Sequence, residues 1–135
     1  MFDVQGLRSG YGEMAVLKDL TFSIKDEVFA VLGANGAGKT TLLKTLARLL
    51  PLQGGSLALN GNDMAQTPAY AMPGHGVAYV PQEGNVFPDL SVLENLSIGG
   101  RTGHRPKQEK LDEVFDLFPR LKERRSQAAG SLSGG

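Results

Sequence analysis

Eight residues near position 36 have the types and the spacing of a phosphate-binding loop. Residues 33–40 read Gly-Ala-Asn-Gly-Ala-Gly-Lys-Thr, which fits the pattern G-x-x-x-x-G-K-[ST]. Glycines let successive main-chain N–H groups converge on one anion, and the lysine adds a positive charge for the outer phosphates. The sequence therefore predicts a nucleotide site formed by Gly33, Asn35, Gly36, Ala37, Gly38, Lys39, Thr40 and Thr41.

Thr40 adds a hydroxyl directly after the lysine. A threonine oxygen beside bound phosphates suits Mg²⁺, a hard cation that takes oxygen ligands and retains several waters. The expected ligands of the loop are therefore a nucleotide polyphosphate and Mg²⁺, and the loop alone would serve a kinase, a GTPase or a transport ATPase. The competing interpretation, a glycine-rich turn with a surface lysine, is disfavoured because the flanking residues predict a strand before the loop and a helix after it.

Those flanking elements would position the loop. Val28–Leu32 is a short apolar run ended by Gly33, typical of a strand that is covered on both faces. Lys39–Leu50 predicts a helix that stops at Pro51. Four leucines would share one side of this helix: Leu42, Leu43, Leu46 and Leu50.

Further elements are predicted on either side of this core. In the first half, alternating apolar and polar residues predict strands, and small polar residues predict turns. The predicted strands are Phe2–Gln5, Leu20–Ile24, Leu57–Leu59 and Val77–Val80, with turns at Ser9–Gly12 and Asn60–Gly61. In the second half, Ser91 and Glu94 have the spacing of a capping box, and Gly99–Pro106 is typical of a polar linker. A helical face that ends at Pro119 follows, with Leu111, Val114, Phe115 and Phe118.

The composition excludes several classes of function. Fourteen basic residues balance fourteen acidic ones, so no overall field attracts nucleic acid, and no nucleic-acid partner is expected. Cysteine is absent, which excludes disulfides and thiolate metal sites. No apolar run approaches the roughly 20 residues that span a bilayer, and residues 1–5 lack the features of a signal peptide. A cytoplasmic protein is expected.

Four features, in this order along the chain, resemble the ATP-binding-cassette (ABC) ATPases. They are Tyr11, the phosphate loop, Gln82 after Tyr79-Val-Pro, and Leu132-Ser-Gly-Gly135. The resemblance implies that Tyr11 stacks on adenine, and that Gln82 contacts Mg²⁺ and the attacking water, sharing catalysis with Lys39. It also implies that Ser133, Gly134 and Gly135 close over the ATP of a second ATPase subunit. Taken singly, the tyrosine also fits a hairpin turn, the glutamine a surface position and the last residues a flexible tail.

The resemblance implies an α/β fold: a P-loop NTPase core with an antiparallel β subdomain and a partial helical subdomain. Residues 1–81 would form the β subdomain and core, and residues 82–135 the glutamine loop and helical part. Asp26-Glu27 departs from the family's usual glycine-glutamate pair. The sequence ends before the family's catalytic acid and switch histidine, and by their order His75 and His104 are loop residues instead. We therefore expect negligible hydrolysis by this chain alone, and an uncovered edge at Val28–Leu32.

The stretch from Tyr79 to Leu96 resembles the subgroup serving importers of branched-chain and related amino acids, or of urea. That resemblance implies transmembrane permease subunits and a second ATPase subunit, identical or not, as partners, and a solute-binding protein only indirectly. The chain would lie at the inner face of the cell membrane. Two alternatives remain open: a soluble ABC ATPase of translation or DNA repair, and a non-catalytic nucleotide-binding fragment.

Overall fold

The chain forms two units. A computed structural model describes residues 1–100 and 107–132, and it divides the chain into Met1–Tyr79 and Val80–Gly135. None of the helices in these described ranges is long and apolar enough to cross a membrane. The assignment of residues 1–81 and 82–135 to the named subdomains stays a prediction.

A four-stranded antiparallel sheet dominates the first unit. Its spatial order is β2-β1-β3-β4, so the first strand lies in the interior of the sheet and pairs with the second and the third. Val4, Leu7 and Leu57 are completely buried. Val4 pairs with Leu57, and a register shift between Val4 and Leu7 interrupts the simple alternation of β1, which would otherwise put these two residues on opposite faces. The strands are β1 (Phe2–Tyr11), β2 (Met14–Ile24), β3 (Leu52–Leu59) and β4 (Asn62–Asp63).

Strands β1, β2 and β3 are all longer than predicted, and the extension of β1 corrects the turn at Ser9–Gly12. β1 continues through Ser9 and Gly10 to Tyr11, and the chain reverses at Gly12 and Glu13. Ser9 tolerates a buried strand position because its hydroxyl donates to the carbonyl of Pro51 (2.8 Å). Gly10 has no side chain, which leaves room for the Met14 carbonyl of the paired strand.

The predicted turn after β3 is confirmed. Asn60 and Gly61 both have positive φ (51° and 81°), as a two-residue hairpin turn requires, and they connect β3 to β4. A 3-10 helix over Ala69–His75 follows, and His75 is exposed at its end.

Helix α1 (Lys39–Leu46) follows the phosphate loop and is shorter than predicted. Its end is set by Arg48, which takes a left-handed conformation (φ 62°), after which the Leu49 amide bonds back to the Lys44 carbonyl (2.8 Å). Such a residue terminates a helix before any proline is needed. Leu42 and Leu46 are buried, whereas the prediction for Leu43 is wrong, since its side chain is 47% exposed.

Two predicted strands do not form. Val28–Leu32 and Val77–Val80 have extended or irregular backbone without a β ladder. Val28 is 100% exposed, Leu32 90% and Val80 76%. A buried strand needs hydrogen-bonding neighbours on its edges, and no described residue supplies them. The expected loss of cover at Val28–Leu32 is therefore confirmed.

The second unit is helical. The capping box is confirmed: the Ser91 hydroxyl accepts from the Glu94 amide (3.2 Å), and the Ser91 amide donates to the Glu94 carboxylate (2.8 Å). Hydrogen bonds from the Ser91 hydroxyl and amide lower the pKa of Glu94 below its usual value. The elements are α2 (Val92–Gly99), α3 (Lys107–Leu117), α4 (Pro119–Glu123) and a 3-10 turn (Ala129–Ser131).

The predicted apolar face of α3 is confirmed in part. Leu111 and Phe115 are buried, but Phe118 is 57% exposed just before Pro119. Most of the predicted linker, with His104, lies outside the described residues, and Gly99 belongs to α2.

Candidate phosphate-binding site

The backbone of the phosphate loop curves through two left-handed glycines. Gly36 has φ 83° and Gly38 has φ 92°, a region that residues with a Cβ enter only at a cost of about 1–2 kcal/mol. Between them, the Ala37 amide donates to the Ala34 carbonyl (3.2 Å) and tightens the turn. Alternation of left- and right-handed residues turns neighbouring N–H groups toward one side, which forms a concave nest for an anion.

The first amides of α1 are available to a ligand. The first bond within the helix runs from the Leu42 amide to the Gly38 carbonyl (2.8 Å), so the amides of Lys39, Thr40 and Thr41 have no partner within the helix. No side chain caps this end. The positive end of the helix dipole lies at the same place. Free donors and dipole together fit a negatively charged group.

Lys39 closes the loop on itself. Its ammonium donates to the carbonyls of Gly33 (2.7 Å) and Ala34 (2.8 Å), the two residues that begin the loop. An ammonium has three donors, so one N–H remains for another acceptor. The half-buried lysine thus holds the loop curved and keeps its charge beside the nest.

The loop rests on β2 through Gly38. A Cβ added there would lie 3.1 Å from Cδ2 of Leu17 and 3.3 Å from Cγ1 of Val16. Both distances are shorter than ordinary contacts, so a side chain at Gly38 would crowd these neighbours in addition to the strain of its left-handed backbone. The register of β1 and β2 shifts at this point, so Val16 is an extra residue between the pairs Ser9–Leu17 and Gly10–Ala15. Such bulges locally re-aim side chains.

A buried polar cluster fixes α1 against the sheet. The Thr45 hydroxyl lies 2.9 Å from the Ser9 hydroxyl and 2.7 Å from the Thr41 carbonyl, and Ser9 donates to the Pro51 carbonyl. Thr45 and Ser9 are both fully buried. Because buried hydroxyls are costly without partners, this chain of contacts favours one position of the helix.

The two threonines of the loop have different environments. Thr40 is exposed, so its hydroxyl is accessible to a metal ion beside the phosphates. Thr41 is only 5% exposed, and it is available to a ligand through its amide. Asn35 and Ala37 are exposed at the rim of the loop.

Tyr11 lies at the end of the first hairpin, opposite Met14, and is 45% exposed. Cross-strand partners point to the same face, as do residues two apart on one strand. Tyr11 and Met14 therefore share a face with Ser9 and its partner Leu17, and Leu17 is the nearer of the two residues that pack on Gly38. The tyrosine and the phosphate loop therefore lie on the same side of the sheet. Two residues of strand, about 7 Å, separate Tyr11 from Ser9 along β1.

The remaining predicted site residues belong to the second unit. Gln82 is exposed directly after Pro81, and its contacts to Mg²⁺ and water stay a prediction. Ser133, Gly134 and Gly135 lie outside the described residues. The preceding Ser131 hydroxyl donates to the Ala128 carbonyl (2.6 Å) at the end of the described chain.

Some supporting residues were not predicted from the sequence. The Arg48 guanidinium donates to the carbonyls of Ala65 (2.5 Å) and Thr67 (3.3 Å). Burial lowers the pKa of Arg48 below its usual value, and the nearby Asp63 carboxylate partly offsets this. In the sequence, the arginine looked like an ordinary charged residue of a helix end, since its partners lie 17 and 19 positions away.

Asn95 organises the loop before α2 in a comparable way. Its amide oxygen accepts from the Phe87 amide (2.8 Å), and its nitrogen lies near the carbonyls of Phe87 (3.0 Å), Ser91 (3.0 Å) and Leu90 (3.3 Å). The only sequence signal is its position one turn after the Ser91 cap.

A known family model matches most of this chain. The family model described as "ABC transporter" matches residues 17–135, which include the phosphate loop and Gln82. The chain belongs to the ABC transporter family. The predicted family is therefore confirmed, and ABC ATPases as a family are P-loop enzymes that hydrolyse ATP.

The chain is similar to three curated ABC proteins. A probable branched-chain amino acid transport ATP-binding protein LivF from Archaeoglobus fulgidus is 39% identical over 131 residues, covering 96% of this chain and 56% of the relative. The branched-chain protein BraG from Pseudomonas aeruginosa is 41% identical, covering 93% and 54%. A molybdate/tungstate import protein WtpC from Thermococcus kodakarensis is 37% identical, covering 98% and 40%. The chain thus spans about half the length of these ABC relatives.

Solved ABC structures share the fold. An ATP-binding subunit of an ABC transporter superposes with a TM-score of 0.81 at 28% identity, covering 98% of this chain and 56% of that one. A dimeric ATP-binding cassette bound to ADP and Pi superposes with a TM-score of 0.75 at 20% identity, covering 98% and 63%. The predicted α/β cassette fold is therefore confirmed.

Proposed function

We propose that this chain carries the nucleotide-binding part of the ATPase subunit of an ABC importer. Residues 33–41 bind Mg·ATP, and hydrolysis in the assembled protein drives uptake of branched-chain or related amino acids, or of urea. The relatives LivF and BraG, both named for branched-chain amino acid transport, support this solute class. WtpC, named for molybdate and tungstate import, shows that similar chains serve other solutes.

One observation carries the proposal. The amides of Lys39, Thr40 and Thr41 have no partner within α1, and they begin directly after the left-handed Gly38. Unsatisfied N–H groups at the head of a helix are a ready anion site. A polyphosphate satisfies these donors without any rearrangement of the helix.

Lys39 contributes charge with little reorganisation. Two of its three donors already hold the carbonyls of Gly33 and Ala34. Its third donor is left for an outer phosphate oxygen, where charge-assisted bonds are the strong ones. The ammonium therefore binds phosphate from a fixed position, which lowers the entropic cost of binding.

The site residues also fit Mg²⁺. The exposed hydroxyl of Thr40 is an oxygen ligand at the mouth of the nest. When bound, the ion would neutralise phosphate charge. Gln82 is proposed as a second group contacting the ion and the attacking water.

Permease subunits and a second ATPase subunit are the proposed partners. The dimeric cassette among the solved structures supports a paired arrangement. In such a pair, residues 133–135 of one copy close over the nucleotide of the other. The ATPase would then lie at the inner face of the membrane, held by the permease.

Equilibrium titration of Mg·ATP tests the nucleotide site. Lys39→Ala should weaken binding by roughly 10- to 150-fold, since a hydrogen bond to a charged group contributes about 1.5–3 kcal/mol. Lys18→Ala removes an exposed lysine of β2 and should leave the affinity unchanged. Equal affinities for the unaltered protein and the Lys39 variant would refute the site.

Uptake of radiolabelled leucine tests the transport role. The protein, expressed together with its permease subunits, should support uptake that Lys39→Ala abolishes. Co-purification with ribosomes or DNA in place of a permease would instead favour a soluble ABC ATPase.

A further inference from the structure

The tip of the first hairpin is fastened to the third strand by one side chain. Nε2 of Gln53 donates to the carbonyl of Gly12 across 41 positions of sequence, at 2.7 Å. Gly12 directly follows Tyr11 and has φ 56°, so it shapes the reversal between β1 and β2. Gln53 therefore contacts the residue that follows Tyr11 in the chain.

Gln53 occupies an irregular position in β3. Arg8 pairs with Gly54 and Ser9 pairs with Leu52, so β3 has one more residue than β1 between these pairs. That extra residue is Gln53. Bulges commonly serve to re-aim a side chain near a functional site. Here the side-chain amide of Gln53 reaches the hairpin tip. The next residue, Gly54, leaves space for the Arg8 side chain, whose Cδ would lie 3.3 Å from a Cβ added at Gly54.

We propose that Gln53 is a positioning residue for nucleotide recognition: by holding the Gly12 carbonyl, it fixes the Tyr11 ring where an adenine stacks. The inference rests on the proposed function and extends it to the base-binding end of the site. A two-strand hairpin is held weakly at its tip, and Tyr11 is half exposed. The tie from β3 restricts the ring before the nucleotide arrives, and a preorganised contact costs less entropy on binding.

The test separates the base from the phosphates. Dissociation constants for Mg·ATP and for Mg·tripolyphosphate, which lacks a base, are measured on the same variants, and the ratio of the tripolyphosphate constant to the ATP constant reports the base contribution. Tyr11→Ala should lower this ratio about 5- to 150-fold, the range for loss of one stacked base. Gln53→Ala should lower it about 2- to 10-fold, the range for one hydrogen bond, with tripolyphosphate affinity unchanged.

Two further variants complete the design. Gln53→Lys restores a donor on a long stem and should recover most of the ratio. Gln5→Ala is the matched control, because Gln5 is an exposed glutamine of the same sheet whose side-chain amide donates to Asp3, two residues earlier (2.8 Å). It should leave the ratio unchanged.

Each failure has a different meaning. If neither ligand binds the unaltered protein, the proposed function fails. If Tyr11→Ala leaves the ratio unchanged, the base role of Tyr11 fails, and the positioning role of Gln53 fails with it. If only Gln53→Ala leaves the ratio unchanged, or if it weakens both ligands equally, the positioning role alone is overturned.

Discussion

The two ends of the phosphate loop are held very differently. On the downstream side, Gly38 packs against Val16 and Leu17, and Thr45 of α1 is buried against Ser9 of β1. On the upstream side, Val28 and Leu32 are 100% and 90% exposed. This segment is held through Phe29 and Val31: Phe29 stacks on Phe22 with ring centroids 5.6 Å apart, and Val31 is partly buried against the core.

The difference shows which contacts are enough to form the nest. The curved backbone of the loop, the lysine clasp and the free amides are all present although the upstream segment forms no strand. They depend on local backbone geometry and on packing from β2 and α1. Val28 and Leu32 contribute little to the stability of this unit, because exposed side chains have no burial energy to lose.

The largest expected difference is in the free energy of unfolding lost when two leucines are truncated, one buried in the sheet and one on the upstream side of the loop. Leu7→Ala removes a completely buried side chain and should lower the free energy of unfolding by about 2–5 kcal/mol. Leu32→Ala, at 90% exposure, should change it by less than about 0.5 kcal/mol. All three tyrosines lie in the first unit, so tyrosine fluorescence in a urea titration reports this unit. Equal losses would show that the upstream segment is covered.

A smaller difference is expected between two glycines of the loop. Gly36→Ala forces a left-handed alanine into open space and should cost about 1–2 kcal/mol. Gly38→Ala adds crowding against Val16 and Leu17, typically about 1–3 kcal/mol more. The same urea titrations measure both. If Gly38→Ala is no worse than Gly36→Ala, the support of the loop by β2 is refuted.

The smallest expected effect concerns the aromatic pair on the upstream side. In a double-mutant cycle with Phe22→Leu and Phe29→Leu, the coupling energy should be about 0.5–1.5 kcal/mol, the usual range for an aromatic pair. Leucine keeps most of the apolar volume, so the cycle isolates the ring contact. A coupling of zero would mean that the stack does not hold the upstream segment.

Sequence reasoning succeeded where structure is decided locally. The capping box at Ser91 and Glu94, the turn at Asn60–Gly61 and the phosphate loop each follow from a few adjacent residues. It failed for Val28–Leu32, because a buried strand is defined by neighbours that hydrogen-bond to it. The predicted end of α1, at Leu50, lies beyond the observed one at Leu46. Pro51 is an obvious stop signal in the sequence, whereas the left-handed conformation of Arg48 gives none.

The site was predicted in part. The left-handed Gly36 and Gly38 follow from residue type and spacing, whereas nucleotide binding by the loop residues stays a prediction. The supporting hydrogen bonds, in contrast, join residues that are between 17 and 41 positions apart. They are the bonds of Gln53 to Gly12, of Arg48 to Ala65, and of Thr45 to Ser9. Such pairs depend on the register of the sheet, including its bulges, and one sequence does not reveal that register.

Amide chemical shifts would test the central claim most directly. The account predicts that Mg·ATP, added to isotopically labelled protein, shifts the N–H resonances of Gly36, Gly38, Lys39, Thr40 and Thr41 more than those of β3 and β4. These are the donors of the nest and of the first turn of α1. Binding of Mg·ATP that leaves these five resonances unmoved would contradict the account, since the phosphates would then be held elsewhere.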